Sequence, residues 1–170
     1  MKSLSIAELD AFLNVAKKHS ERDYLMFLVT FLHGLRISET LSLTASNIVD
    51  GHLVVQRLKG SRKTVQPLLP NEKDGLLALA KGPGLFFPMH RQTARLHMRE
   101  YCQEAGIPAW KSSPHKLKHS TGVLAHKGGK GMSIPELQAY LGHRSGASTM
   151  IYLECDEDTA CSAFAAAVGG

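Results

Sequence analysis

Residues 52–69 read HLVVQRLKGSRKTVQPLL, the β-rich stretch of a chain whose other segments have helical periodicity. It holds two β-prone runs, 52–58 and 64–69, separated by Lys59-Gly60-Ser61-Arg62-Lys63, a glycine-containing loop of hairpin length. On both sides of it the hydrophobic period changes to that of a helix. Upstream, Ser5 and Glu8 form a capping box, and Leu9, Phe12, Leu13 and Ala16 recur at helical spacing, which predicts a helix over about 6–18. A second helix, largely apolar, is expected from Arg22 to about Leu32, with Gly34 placed to end it, and a short third one near Ser38–Leu43. Downstream, helices are expected over 72–80, 92–105, 115–126, 134–141, 148–153 and 158–168, the fourth of these opened by a Ser133/Glu136 capping box with Pro135 in its first turn. The expectation is a mainly α domain with one small antiparallel β-sheet (α+β), a single domain over 1–170 without internal repeats.

Composition narrows the function classes. With 170 residues, 44% hydrophobic and 21% charged, the chain is ordinary globular material rather than a mainly disordered one. No apolar run approaches the roughly 18 residues of a membrane helix, and the start, Met1-Lys2-Ser3-Leu4-Ser5, leads into Glu8 and Asp10 and is no secretory signal. Cys102, Cys155 and Cys161 form no CxxC pair, which fits reduced thiols and a cytoplasmic protein. The formal net charge is +5, and the basic residues cluster. Residues 57–63 carry four of them with no acid, residues 111–130 carry five lysines and three histidines with no acid, and residues 90–99 add His90, Arg91, Arg95, His97 and Arg99. If the fold brings these segments together, they make a strip able to neutralise several phosphates.

His115 and His119 stand at i and i+4, a spacing that can hold zinc. The hydrolytic motif, however, needs a glutamate where Lys116 stands, and Lys116 and Lys118 would repel a dication, so no metal is expected. Neither GxGxxG nor GxxxxGK[ST] nor GxSxG occurs. Among the tyrosines, Tyr152 differs in its surroundings: it follows His143 by nine positions, with Ser148 and Thr149 before it and acids after it. A tyrosine hydroxyl, with a pKa near 10, attacks only when a base or nearby cations stabilise its phenolate.

Four segments together resemble the catalytic domain of the tyrosine recombinases, the phage-integrase family. Phe31-Leu32-His33-Gly34-Leu35-Arg36-Ile37-Ser38-Glu39 resembles the T-G-x-R-x-x-E box, and Leu58 to Leu68 resembles the hairpin that carries the family's lysine. Pro114-His115-Lys116-Leu117-Lys118-His119-Ser120 resembles the H-x-L-R-H box; Leu141-Gly142-His143-Arg144, followed by Thr149-Met150-Ile151-Tyr152, resembles the L-G-H box and the nucleophile. The likeness runs from about residue 5 to 155. His33-Gly34 before Arg36, and Tyr140 to Arg144, are similar to the short recombinases that invert fimbrial switches.

The resemblance implies cleavage and rejoining of DNA strands through a 3′-phosphotyrosyl link, in integration, excision or inversion, without cofactor or metal. It implies Arg36, Lys59, His115, Lys118, His143 and Tyr152 as catalytic residues, Tyr152 being the nucleophile. Lys63 rivals Lys59 as the acid if the hairpin register shifts. The basic residues beside these boxes, Arg57, Arg62, Lys63, Arg91, Arg95, Lys116, His119 and Arg144, are expected to contact double-stranded DNA. A homotetramer is expected on DNA, a monomer when free, and the family's N-terminal DNA-gripping domain is expected to be absent. One departure stands out: the family's second arginine is Lys118 here. A lysine is a point charge without the guanidinium fork, so catalysis is weakened, or leans on Arg144 or His119, or is lost in a chain that only binds DNA. Glu39 is read either as a positioning group for the Arg36 segment or as an ordinary acid on the surface of a helix.

Overall fold

The computed structural model describes residues 3–58, 61–127 and 131–145, and the single positions 149, 165 and 167. Helix α1 (Ile6–His19) starts at Ser5, whose Oγ accepts from Glu8 N while Ser5 N donates to the Glu8 carboxylate. Ser20 ends α1 and caps α2 (Glu21–Leu32), accepting from Asp23 N, so the two helices turn back on each other within one residue. Phe12 and Phe27 meet edge to face across this pair, with ring centroids 5.1 Å apart, at the centre of the main core.

Gly34 ends α2 as the sequence suggests, and with geometry that matters for the site. Its φ is +59°, Gly34 N donates to Phe31 O and Leu35 N to Thr30 O, the paired bonds of a Schellman turn. A Cβ on Gly34 would overlap the side chain of Leu141. The turn therefore throws Arg36 out at the head of α3 (Ile37–Leu41) while seating against a later helix.

The sheet has three strands, β1 (Ile48–Val49), β2 (His52–Val55) and β3 (Thr64–Pro67), all antiparallel in that order, with Val54 opposite Val65. The extra strand β1 escapes the period-two reading because it is two residues long. Its signal is Asp50-Gly51, whose positive φ values of 49° and 73° make the tight turn into β2. Both hairpin strands are shorter than expected. β2 stops before Arg57 because that side chain turns into the core, and β3 ends at Pro67, whose ring has no N–H for a ladder. Helix α4 (Pro70–Leu79) follows with Pro70 in its first turn. Then come α5 (Arg91–Glu104), α6 (Pro114–Lys127) and α7 (Ile134–Leu141), each within two residues of its expected bounds. The helices expected over 148–153 and 158–168 lie outside the described residues, apart from the helical positions 149, 165 and 167. Among the described residues, no helix is long and apolar enough to cross a membrane.

Helix α7 docks on both the Gly34 turn and the sheet. Its C-terminal Gly142 has φ +70°, accepts Arg62 N at 2.7 Å, and leaves no room for a Cβ beside Arg62 O and Thr64. The Leu-Gly-His segment is thereby fixed to the hairpin. Gly34→Ala should destabilise the protein by roughly 1–3 kcal/mol, the scale for a left-handed non-glycine residue, read as a shift in the denaturant midpoint. An unchanged midpoint would contradict the packed turn.

Candidate active site

Arg36, His115 and Lys118 line one open cleft of about 790 Å³, together with Arg91, Arg95 and Arg99 from α5. Among the described residues that line it there is no carboxylate. Arg36 precedes α3, His115 and Lys118 lie on α6 three residues apart, and α5 presents its arginines at i, i+4 and i+8 on one face. Arg91 and Arg95 were expected to face DNA; Arg99 entered only as a member of the basic cluster, although its four-residue spacing from Arg95 is the sequence signal that places it in the cleft.

Behind the cleft sits Glu39, only 2% exposed. It accepts from Arg36 N at 2.7 Å, Arg36 Nη1 at 3.1 Å and Leu58 N at 2.9 Å, and pairs with Arg57 Nε at 3.3 Å. Burial raises its carboxyl, but the Arg57 guanidinium, the two backbone donors and the Lys118 ammonium outweigh that and hold it below the ordinary carboxylate range. Glu39 is thus no surface acid: it orients Arg36, whose Nη1 also donates to Leu58 O at 3.2 Å.

Arg57 was expected to contact DNA, and here the structure corrects the sequence reading. It is 4% exposed, and its guanidinium donates to Gly34 O at 2.6 Å, to Thr64 Oγ1 at 3.3 Å and to His33 O at 3.5 Å. It is a structural pier because the Gly34 turn leaves carbonyls that need a buried donor. Other members of the basic clusters are likewise absorbed: Lys111 donates to the Glu8 carboxylate, His97 pairs with Asp23, and His90 caps α5.

Lys118 is 5% exposed, so it is not a solvated surface lysine. Burial first, then Arg57 and Arg36, push its ammonium down to about 8, with Glu39 opposing. His143, 8% exposed, is held at about 4 by burial and by Lys118, Arg57 and Arg36, and its Nδ1 meets Thr149 Oγ1 at 3.0 Å. At neutral pH it is a neutral hydrogen-bonding imidazole rather than a cation. His115, at the exposed rim, is also lowered, by desolvation and then by Lys118, Lys116 and Arg36.

The other described candidates lie outside the cleft lining. Arg62, Lys63 and Arg144 are exposed, while His119 and Lys116 are half-buried, Lys116 lying 5.9 Å from the Trp110 ring centre. Lys59 and Tyr152 lie outside the described residues. Two other tyrosines are engaged structurally: Tyr140 donates its hydroxyl to Leu32 O at 2.7 Å and is pushed up to about 12 by burial and Glu72, and Tyr101 donates to Asp23 at 2.6 Å.

The phage integrase family profile matches residues 2–158. A tyrosine recombinase XerA from Pyrococcus furiosus is 34% identical over 166 residues, 89% of this chain and 56% of that protein. The type 1 fimbriae regulatory protein FimE of Escherichia coli K12 is 33% identical over 149 residues, 77% of this chain and 73% of FimE. The chain thus spans little more than half the length of the XerA relative. Among solved structures, the XerH site-specific recombinase bound to its difH substrate superimposes with a TM-score of 0.76 at 21% identity, over 96% of this chain and 52% of that one. The catalytic domain of bacteriophage HP1 integrase superimposes with a TM-score of 0.71 at 21% identity, over 95% of this chain and 92% of that domain.

Two outcomes test the geometry. Glu39→Gln removes the charge facing buried Arg57 and should cost about 3–5 kcal/mol of stability in a denaturant melt; a loss well under 1 kcal/mol would contradict the pier. With its ammonium pushed down to about 8, Lys118 is partly neutral at pH 8, and an entering phosphate favours its charged form, so binding should take up protons there. Calorimetry of a duplex oligonucleotide in buffers of different ionisation enthalpy measures this. The uptake should vanish in Lys118→Met, and wild-type heats independent of buffer would contradict it.

Proposed function

The chain belongs to the phage integrase family, and from that premise we propose that it is a tyrosine-type site-specific recombinase that cuts and rejoins double-stranded DNA. The observation that carries this reading is the cleft that gathers Arg36, His115 and Lys118 beside the α5 arginines, with no carboxylate among its described lining residues. Such a cleft suits a phosphodiester whose charge grows in the transition state.

In the proposed reaction the Tyr152 hydroxyl attacks the scissile phosphorus in line with the 5′-oxygen. A 3′-phosphotyrosyl link forms and a 5′-hydroxyl is released; a 5′-hydroxyl from a partner strand later reverses the step. The phosphodiester is conserved in the covalent link, so no nucleotide is consumed. Arg36 and Lys118 offset the charge of the pentavalent phosphorus, and His143 adds a neutral hydrogen bond. His115, neutral at physiological pH, is suited to take the tyrosine proton. Lys59 on the hairpin is the family-matched acid. Arg62, Lys63, Lys116, His119 and Arg144, with Arg91 and Arg95, are assigned to DNA contact. Exchange between two duplexes calls for four protomers on DNA. The second reading, a chain that binds DNA without cutting it, draws on the replacement of the family arginine by Lys118.

A nicked suicide duplex separates the two. An SDS-stable protein–DNA adduct formed in EDTA supports strand transfer; binding without an adduct supports the second reading. Tyr152→Phe should abolish the adduct while keeping DNA affinity, and Tyr140→Phe should retain it; the reverse pattern would place the nucleophile wrongly. Affinity should fall steeply with salt, and replacing Arg91, Arg95 and Arg99 by alanine should lower the slope of log K against log salt by about 0.9 for each phosphate no longer neutralised. An unchanged slope would remove α5 from the DNA interface.

A further inference from the structure

We propose that Trp110 is a DNA contact: its ring packs on the deoxyribose of the strand whose phosphate enters the cleft, and so sets where the duplex lies along the site. The inference rests on the DNA reading above and adds to it a residue outside the four motif segments.

A single exposed apolar side chain needs no explanation by itself, and here the surroundings supply one. Trp110 is the chain's single tryptophan and is 57% exposed. It sits in a one-turn 3₁₀ helix, Ala109–Lys111, on the chain that joins α5 to α6. The cleft lining begins two residues further on, with Ser112, Ser113, Pro114 and His115. The ring thus stands at the rim of the cleft. The turn that carries it is fastened at both ends. Ile107 is buried in the main core, and its N–H donates to Cys102 O at 2.9 Å. Lys111 Nζ donates to both carboxylate oxygens of Glu8 on α1, at 2.9 and 2.8 Å. A backbone held in this way places the ring before any partner arrives, which lowers the ordering cost of a contact made through it.

The charge around the ring selects the partner. Lys111 and Lys116 put their ammonium groups over it, 5.2 and 5.9 Å from its centre. Lys111 is committed to Glu8, whereas Lys116 has no ion pair among the described residues. An apolar ring beside an available ammonium matches the backbone of a duplex, where the C–H groups of each sugar alternate with anionic phosphates. The bases of a duplex stay stacked on one another, so next to a phosphate held in the cleft it is sugar rather than base that a rim residue meets. Contacts with sugar and phosphate position a duplex without reading its sequence. Trp110 and Lys116 thereby extend the grip of the cleft along the strand.

Tryptophan emission tests this, because it reports Trp110 alone. A short duplex is added in excess, so that each carries one protomer, and binding is followed in parallel by the anisotropy of a label on the DNA. On binding, quenching of the emission by acrylamide should fall several-fold, a readout in wild type that does not depend on how a variant folds. Trp110→Ala should weaken binding roughly fivefold or more, the low end for an aromatic side chain removed from a nucleic-acid contact. It should leave the slope of log K against log salt unchanged, since the ring carries no charge, whereas Lys116→Ala should lower that slope by about 0.9. Binding without any change in quenching, or an unchanged affinity in Trp110→Ala, would overturn the inference and leave the DNA reading in place. Protection that rises with protein concentration in the absence of DNA would give the ring to a second copy of the chain and overturn it too. If the label shows no binding, the DNA reading itself fails, and this inference with it.

Discussion

Everything at the site hangs on one buried carboxylate. Glu39 is almost wholly shielded from water, and such a group stays ionised only when donors surround it. Its donors come from both ends of the cleft wall: the backbone and guanidinium of Arg36, the backbone of Leu58 and the guanidinium of Arg57. The head of α3 and the chain leaving β2 are thereby tied to a single point. Arg57 carries the tie onward to the carbonyls of the Gly34 turn and to Thr64 in β3. From there His33 reaches Gln66 and Glu72, and Gln66 donates to Tyr140 O in α7. A buried polar network of this kind is costly when broken and specifying when complete, which suits a site that must hold several cations in register.

The cations are held close before any anion arrives. Burial lowers Lys118, His115 and His143 first, and the repulsion of the neighbouring cations lowers them further. A phosphate entering the cleft relieves that repulsion. For the strand transfer proposed above, this is preorganisation: the cations are in place before charge would develop on the phosphorus.

Much of this was legible in the sequence, for local reasons. Ser5, Gly34 and Ser133 mark helix ends by chemistry confined to four or five residues, and the described parts of the motif segments lie at the head of α3, on the chain between β2 and β3, on α6 and at the end of α7. What charge counting missed was which cations are already paired. Lys111 meets Glu8 across 103 positions of chain and His97 meets Asp23 across 74, so neither pairing leaves a local trace. Arg57 looked like part of a basic loop for the same reason: its partners, Glu39 and the carbonyls of His33 and Gly34, lie 18 or more positions upstream. Strand β1 was hidden by its brevity, although Asp50-Gly51 announced the turn that forms it.

The central claim is that the Glu39 frame aims Arg36 and Lys118 at the scissile phosphate. The most direct measurement replaces that phosphate by a neutral methylphosphonate in the suicide duplex and compares adduct rates for wild type and Arg36→Ala. A cation that faces the phosphate is needed while the phosphate is charged and far less once it is not. The account predicts a large loss for Arg36→Ala on the phosphodiester and a much smaller one on the methylphosphonate. Equal losses on the two substrates would mean that Arg36 acts elsewhere, and would contradict it.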